Sequence, residues 1–401
     1  MRSRGFVYRN ADMKRLAIFL DGTWNTLNNN TNVWRLKSLC DPNAPDQMVY
    51  YGQGVGTRLG EKARGGIGGY GLDNEILDGY TWLAEVFEPG DEIFIFGFSR
   101  GAYAARSLSG LISKCGVLRP GAPLSVEQLY ERYRRDAEPT IRALKAGPAD
   151  ASRTLEERWL LSHCEITDIK FVGVWDTVGS LGNPLGRMHR KVAKYKFLDT
   201  HLRLSNQHAF HAVALDEHRE PFEPTFWTRT VDNAKPDGGA RPRTLAEVEQ
   251  RWFVGAHANV GGGYPSDILA QAPLKWLMDK AALHGLRFRP GFQMDPVDPA
   301  APITDSYSEF GNPLLRAFSK RFYRPVGPPP QVGATKTTAR INETIDGSVF
   351  DRWRENPAYR PANLGQWAER KGVDPAMLVG ARLASDPSVI VGEDLATPAT
   401  A

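Results

Sequence analysis

The chain has 401 residues, with 50 Lys and Arg against 46 Asp and Glu and a net charge of +4. So even a balance gives no field for nucleic acid, and no run approaches the roughly 18 apolar residues of a membrane-spanning helix. Cys40, Cys115 and Cys164 are odd in number and far apart, which fits buried reduced thiols and not a disulfide framework or a zinc site.

Residues 1–13 read as a loose basic leader. Lys14 to Leu20 is a strand ending in Asp21-Gly22 rather than the apolar core of a signal peptide, so cytoplasmic synthesis is expected, with any export independent of a cleaved signal. Thr31-Asn32 can cap a helix through Leu36 to Cys40, and Met48 to Tyr51 is a second strand. Gly66-x-Gly68-x-x-Gly71 has the letters of a dinucleotide loop. It lies about a dozen residues past its strand and runs on into the next element, so it reads as a mobile loop beside the site, and no cofactor is expected.

Leu72 to Phe87 reads as a helix, and Ile93 to Phe96 as a strand covered on both faces. Gly97-Phe98-Ser99-Arg100-Gly101 follows at once, and then small residues with Leu108, Leu111 and Ile112 at helical spacing. Strand, G-x-S-x-G, helix is the pattern of a nucleophile elbow, in which a tight turn lifts the serine hydroxyl above the sheet. The pentad alone carries little, because an ordinary glycine-bounded turn can spell it.

Residues 116–165 form a helical excursion, with Ser125 capping a helix to about Leu144 and Thr154 another to Leu161. It is either a cap over the site or a layer on the sheet. Asp168 to Trp175 is the next strand and delivers Asp176-Thr-Val-Gly179. The basic stretch Arg187 to Lys196 reads as solvated surface. Asn206 to Arg219 reads as a helix carrying His208, His211, Asp216 and His218. His208 and His211 stand i, i+3 without a third ligand, so no metal is expected and a structural role, or one supporting the site from behind, is favoured. Thr225 to Arg229 and Arg251 to Val254 are further strands, the latter opening into Gly255-Ala-His257-Ala-Asn259-Val-Gly261-Gly-Gly-Tyr264. Asp267 can cap a helix to about His284.

Strands alternating with helices predict an α/β fold of the α/β-hydrolase kind, with a mostly parallel central sheet flanked by helices. The expected domains are a catalytic unit over 14–290 and a proline-rich, less regular extension over 291–401, packed on it or tethered to it. In a parallel sheet the strand ends share one edge, where ligands bind. Ser99, Asp176 and His257 all stand at such ends, in the chain order of α/β hydrolases. His257 is expected to take the Ser99 proton, and Asp176 to orient the imidazole, with Asp216 as the rival acid. The Arg100 N–H and an N–H from Gly22-Thr23 are the expected oxyanion donors. Asp21 either braces its own turn or supports the site from behind.

The motifs Leu20-Asp-Gly-Thr-Trp-Asn25, Gly97 to Arg106, Val174-Trp-Asp-Thr-Val-Gly179, His211-Ala-Val-Ala-Leu-Asp-Glu217, Phe253-Val-Gly-Ala-His257, Val260 to Tyr264 and Tyr359-Arg-Pro-Ala-Asn-Leu364 occur in this order. In them the chain resembles a large bacterial and fungal α/β-hydrolase-domain family that includes type VI secretion phospholipase effectors. The resemblance implies a Ser-Asp-His esterase on lipid or phospholipid esters, with the triad at Ser99, Asp176 and His257. It also implies transient contact with a membrane surface and an immunity or delivery partner protein. Asn259 stands where that family usually carries an aspartate, which leaves room for a hydrolase-fold binding or sensing module without strong catalysis. Leu314 to Arg324 mixes aromatics with cations, as interfacial segments do, although a packed surface helix has the same composition.

Overall fold

The longest apolar runs of the chain become neighbouring parallel strands. The computed structural model describes residues 13–22, 30–53, 70–148, 153–179, 202–234, 243–265, 268–294, 298, 300–309 and 320–384. In chain order the strands are β1 (Arg15–Leu20), β2 (Gln47–Gly52), β3 (Glu92–Phe98), β4 (Val117–Leu118), β5 (Cys164–Glu165), β6 (Ile169–Trp175), β7 (Asn206–Ala214), β8 (Thr228–Asp232), β9 (Val248–Phe253), β10 (Gln331–Val332), β11 (Lys336–Arg340), β12 (Glu343–Ile345) and β13 (Arg382–Leu383). Eight of them form one sheet in the order β13-β12-β9-β7-β6-β3-β1-β2. Every pair in it is parallel except β12 with β13. The fold is thus the mostly parallel α/β architecture expected for an α/β hydrolase.

The period of two along each strand divides the interior into two layers. Leu16, Ile18 and Leu20 of β1, with Ile93 and Ile95 of β3, face helices α2 (Tyr70–Val86) and α3 (Arg100–Cys115). Ala17, Phe19, Phe94 and Phe96 point the other way, toward α1 (Asn32–Leu39) and a later helix over Gln271–Leu283. The aromatic rows there stack across strands, Phe19 on Phe96 with ring centroids 4.8 Å apart. The extra contact of such pairs adds on the order of 1 kcal/mol to their area burial.

The excursion lies as a helical layer against α2 and α3: Leu129, Tyr130, Tyr133, Ile141 and Leu160 belong to the same apolar cluster as the strand residues beneath. Ser125 and Thr154 both form full capping boxes. The helix expected to run from Ser125 to Leu144 stops at Arg134 and restarts at Ile141 behind a Thr140 cap, because Pro139 cannot sit within a helix.

A second correction is larger. Asn206 to Ala214 is a strand, β7, at the centre of the sheet, and not a helix. From Ala209 to Ala214 every residue is buried, so no solvated helical face exists, and a run buried on both faces suits an inner parallel strand. The strand expected at Thr225 to Arg229 begins at Thr228 and belongs to a separate antiparallel sheet with β11 and β10.

The described part of 291–401 builds onto the β9 flank of the sheet. β12 pairs parallel with β9, and Glu343 accepts bonds from Trp252 Nε1 at 2.7 Å and the Gly327 N–H at 2.6 Å. Val349, Phe350, Leu364 and Trp367 close an apolar cluster around Val213 and Trp252. Residues 1–12 of the leader, residues 66–69 of the glycine motif, the Arg187–Lys196 stretch, Asp267 and residues 314–319 of the aromatic–basic segment lie outside the described residues. No helix among the described residues is long and apolar enough to cross a membrane.

Candidate active site

Parallel register sets the ends of β1, β3, β6, β7 and β9 along one rim: Leu20 is level with Gly97, Phe98 with Trp175, Trp175 with Ala212, and Ala214 with Phe253. The turns that leave those ends carry the polar residues of the site.

Ser99 stands between β3 and α3 with φ at 58°. Four described non-glycine residues have positive φ, and two of them are Ser99 and Asp176; strain of this kind costs on the order of 1–3 kcal/mol and gathers at functional sites. The flanking glycines are required by space. A Cβ on Gly97 would stand 2.3 Å from the Gly101 carbonyl oxygen, and one on Gly101 would stand 2.3 Å from that of Leu20. The Ser99 N–H donates to the Trp175 carbonyl at 3.1 Å, which ties the elbow to the turn that bears Asp176.

His257 opens a short helix, His257–Gly261. Its Nε2 lies 2.9 Å from Ser99 Oγ, and its Nδ1 lies 2.5 Å from Asp176 Oδ2. Phe98 and Phe222 pack on the imidazole, with centroids 4.7 and 5.0 Å away. The glycine run lets this helix approach, since a Cβ on Gly261 would fall 1.9 Å from the Phe98 ring.

Asp176 is fully buried. Its Oδ1 accepts the Ala214 N–H at 3.0 Å, and the guanidinium of Arg324 forks onto both oxygens at 2.7 and 3.0 Å. Burial alone would push this carboxyl up, but Arg324 and then His257 outweigh it and hold it well below the usual carboxylate range. The rival, Asp216, instead accepts the Gly255 N–H at 2.7 Å and the Tyr359 hydroxyl at 3.1 Å, and burial pushes its carboxyl up. It braces the loop before His257.

Asp21 accepts from the Gly22 N–H at 2.7 Å, the Thr31 hydroxyl at 2.5 Å and the Tyr51 hydroxyl at 2.8 Å, so it braces its own turn and binds two neighbouring elements to it. The Gly22 N–H, an expected oxyanion donor, is thereby engaged by a carboxylate. Thr23 lies outside the described residues. Arg100 supplies the first amide of α3, directly after the serine. Asn259 is buried, and its Oδ1 accepts the Ala256 and Thr304 N–H groups, each at 3.1 Å.

Three further residues complete the arrangement, and two of them, Glu217 and Arg324, carry no role in the sequence reading. Glu217 is buried and accepts the His257 backbone N–H at 3.2 Å and the Ser306 hydroxyl at 2.9 Å; Arg219 forks onto it and holds its carboxyl down at about 2 despite burial. His211 Nε2 accepts the Thr177 N–H at 3.0 Å, and burial lowers this imidazole to about 3. His208 is turned to the opposite face of β7, where its ring stacks on His284 at 3.5 Å; residues three apart on a strand cannot share a ligand. The third is Arg324. The motif His211 to Glu217 offered a signal for two of these residues, with three polar side chains close together, whereas Arg324 comes from the aromatic–basic segment, which reads as a packed surface helix or an interfacial one. No group of three His, Cys, Asp or Glu among the described residues is placed to hold a metal ion.

Comparison with known proteins follows the same outline. A family model described as the type VI secretion phospholipase effector Tle1-like catalytic domain matches residues 14–280. The Saccharomyces cerevisiae uncharacterised protein YEL023C is 29% identical over 238 residues, which cover 54% of this chain and 33% of that one. The chain therefore spans about a third of the length of this curated relative. Among solved structures, that of an uncharacterised Pseudomonas aeruginosa protein is 18% identical with a TM-score of 0.40, covering 69% of this chain and 46% of that one. A structure of the Tle1 effector bound to the VgrG spike of the type VI secretion system is 18% identical with a TM-score of 0.33, covering 63% and 51%.

Proposed function

The chain belongs to the Tle1-like catalytic-domain family of type VI secretion phospholipase effectors, and from that premise we propose that it is a serine hydrolase cleaving phospholipid acyl esters. One observation carries the reading: hydroxyl, imidazole and carboxylate stand in series, with Ser99 Oγ 2.9 Å from His257 Nε2 and His257 Nδ1 2.5 Å from Asp176 Oδ2.

The chemistry then runs in two halves. Ser99 Oγ attacks the acyl carbon while His257 Nε2 takes its proton, and Asp176 stabilises the imidazolium without accepting a proton itself. The tetrahedral oxyanion meets the Arg100 N–H; a second donor comes from the turn at residues 22–23 once the Gly22 N–H leaves Asp21 or Thr23 supplies its own. Collapse breaks the ester bond, and the proton on His257 passes to the departing alcohol. Water, deprotonated by the same nitrogen, then attacks the acyl-Ser99 carbonyl; the bond to Ser99 Oγ breaks, His257 returns the proton to that oxygen, and the fatty acid leaves. Export by a type VI apparatus, with a delivery partner and an immunity protein, belongs to the same proposal and rests on the family alone.

The test is direct. Wild type should hydrolyse short-chain nitrophenyl esters and phospholipid vesicles and react with a fluorophosphonate probe, and Ser99→Ala should do none of these. Full labelling of the alanine variant would overturn the assignment of the nucleophile.

A further inference from the structure

We infer that Arg324 is a positioning residue for this reaction, aiming the Asp176 carboxylate at His257 and sharing its charge. The inference rests on the functional reading above, and one arm of its test, the His257 titration, does not depend on turnover. Both side chains are wholly buried. Nη1 donates to Asp176 Oδ1 at 2.7 Å and to the Ala214 carbonyl at 2.7 Å, while Nη2 donates to Oδ2 at 3.0 Å and to the Phe222 carbonyl at 2.5 Å. All four Nη hydrogens thus have acceptors, and the fork lies on the same two oxygens that serve Ala214 and His257. Rotating the carboxylate away from His257 would break at least two charge-assisted bonds.

The arginine is itself held in place. The Phe322 N–H donates to the His218 carbonyl at 3.0 Å, and Asn363 Nδ2 donates to the carbonyls of Leu215 and Arg324 at 3.0 and 3.1 Å. Residue 324 lies beyond the matched residues 14–280, so a group from outside that span reaches the acid of the proposed triad.

A permanent cation on this carboxylate has a second effect. It offsets part of the negative charge that Asp176 presents to an imidazolium at His257. The other ionisable groups packed around the pair are Glu217 with its partner Arg219, His211 behind Thr177, and Asp216 behind Gly255; their bonds are left in place by changes at position 324.

The test compares wild type, Arg324→Gln and Arg324→Lys. The protonation of His257 is followed by NMR of ¹⁵N-labelled histidine, and the pH profile of kcat/KM is measured on a nitrophenyl ester. In Arg324→Gln the His257 titration should move up by about one pH unit or more, with the acid limb of the profile following it. Its plateau kcat/KM should fall about tenfold or more from lost orientation. Arg324→Lys keeps the charge without the fork, so its titration should stay near that of wild type while kcat/KM falls about tenfold. A folded Arg324→Gln with an unmoved titration, or an Arg324→Lys with full kcat/KM, would overturn the inference. Where circular dichroism shows Arg324→Gln unfolded, the lysine variant decides alone by the same criterion. A wild type that neither turns over ester nor labels at Ser99 would sink the hydrolase reading, and the NMR titration would still decide the effect of Arg324.

Discussion

The backbone amide of His257 donates to the side chain of Glu217 at 3.2 Å, so the imidazole is fixed through its main chain as well as through its ring. Asp216, one residue earlier, holds the Gly255 N–H at 2.7 Å. Two consecutive carboxylates at the end of β7 therefore clamp the turn that leaves β9.

Glu217→Gln should retain the fold and lose the charge that Arg219 and the His257 amide share. The expected cost is about 1–3 kcal/mol of unfolding free energy, because the buried Glu217 side chain loses its charge-assisted bonds to the partly exposed Arg219. Ester turnover should fall about tenfold through looser placement of the imidazole. Denaturant unfolding and steady-state kinetics on one preparation check both.

Asp176→Asn should be far more severe for rate. The amide removes the acceptor that sets the His257 tautomer, and loss at this position of a serine triad is on the order of 10⁴-fold in kcat. A drop below about tenfold would point to another acid.

Gly261→Ala should abolish labelling of Ser99. The new methyl would stand 1.9 Å from the Phe98 ring, and Phe98 immediately precedes the serine. Either the short helix carrying His257 retreats or the elbow shifts, and the probe reaction reports both. Gly365→Ala is the control, since nothing lies within 4 Å of that position.

Stability should decline on acidification in two stages. His211 and His284 are lowered by burial to about 3 and about 4, so the unfolded chain binds protons that the folded one refuses below about pH 6.5. Glu217 is held down at about 2 and Asp176 well below its usual range; their contribution is complete above about pH 4.5 and is lost as pH falls toward their folded values. The first stage should cost on the order of 3 kcal/mol by pH 4, nearly all of it from the fully buried His211 because solvent screens the partly exposed His284, and it should shrink in His211→Gln. Urea midpoints measured from pH 7 to pH 4 test it.

Asn259→Asp should be tolerated. One oxygen already accepts the Ala256 and Thr304 amides, while the Asn259 Nδ2 has no partner. An aspartate keeps both bonds, while its second oxygen stands as unpartnered as Nδ2 did, so the melting temperature should stay within a few degrees, about 2–4 °C, of that of wild type.

The sheet and the elbow were legible because their signals are local. A two-sided apolar run means an inner strand, and G-x-S-x-G needs only five residues and the space around them. The Ser99–His257–Asp176 grouping followed from a general property of parallel sheets, that the strand ends share a rim. β7 was misread because alanines and spaced histidines in Asn206 to Arg219 imitate a helical face, and only burial on both sides decides otherwise. Arg324 could not be read at all. Its partner lies 148 positions away, and nothing in an aromatic–basic segment tells an inward guanidinium from a solvated one.

β12 has a practical bearing on how the molecule is cut. It continues the sheet beyond β9 and ties Trp252 to Glu343, and the segment before it delivers the guanidinium to Asp176. A recombinant piece stopped near residue 280, where the family match ends, would bare the edge of β9 with its buried Trp252 and Phe253 and leave a buried anion without its counter-ion. Such a truncation is the wrong starting material for enzymology, and inactivity or precipitation in it would say nothing about the intact chain.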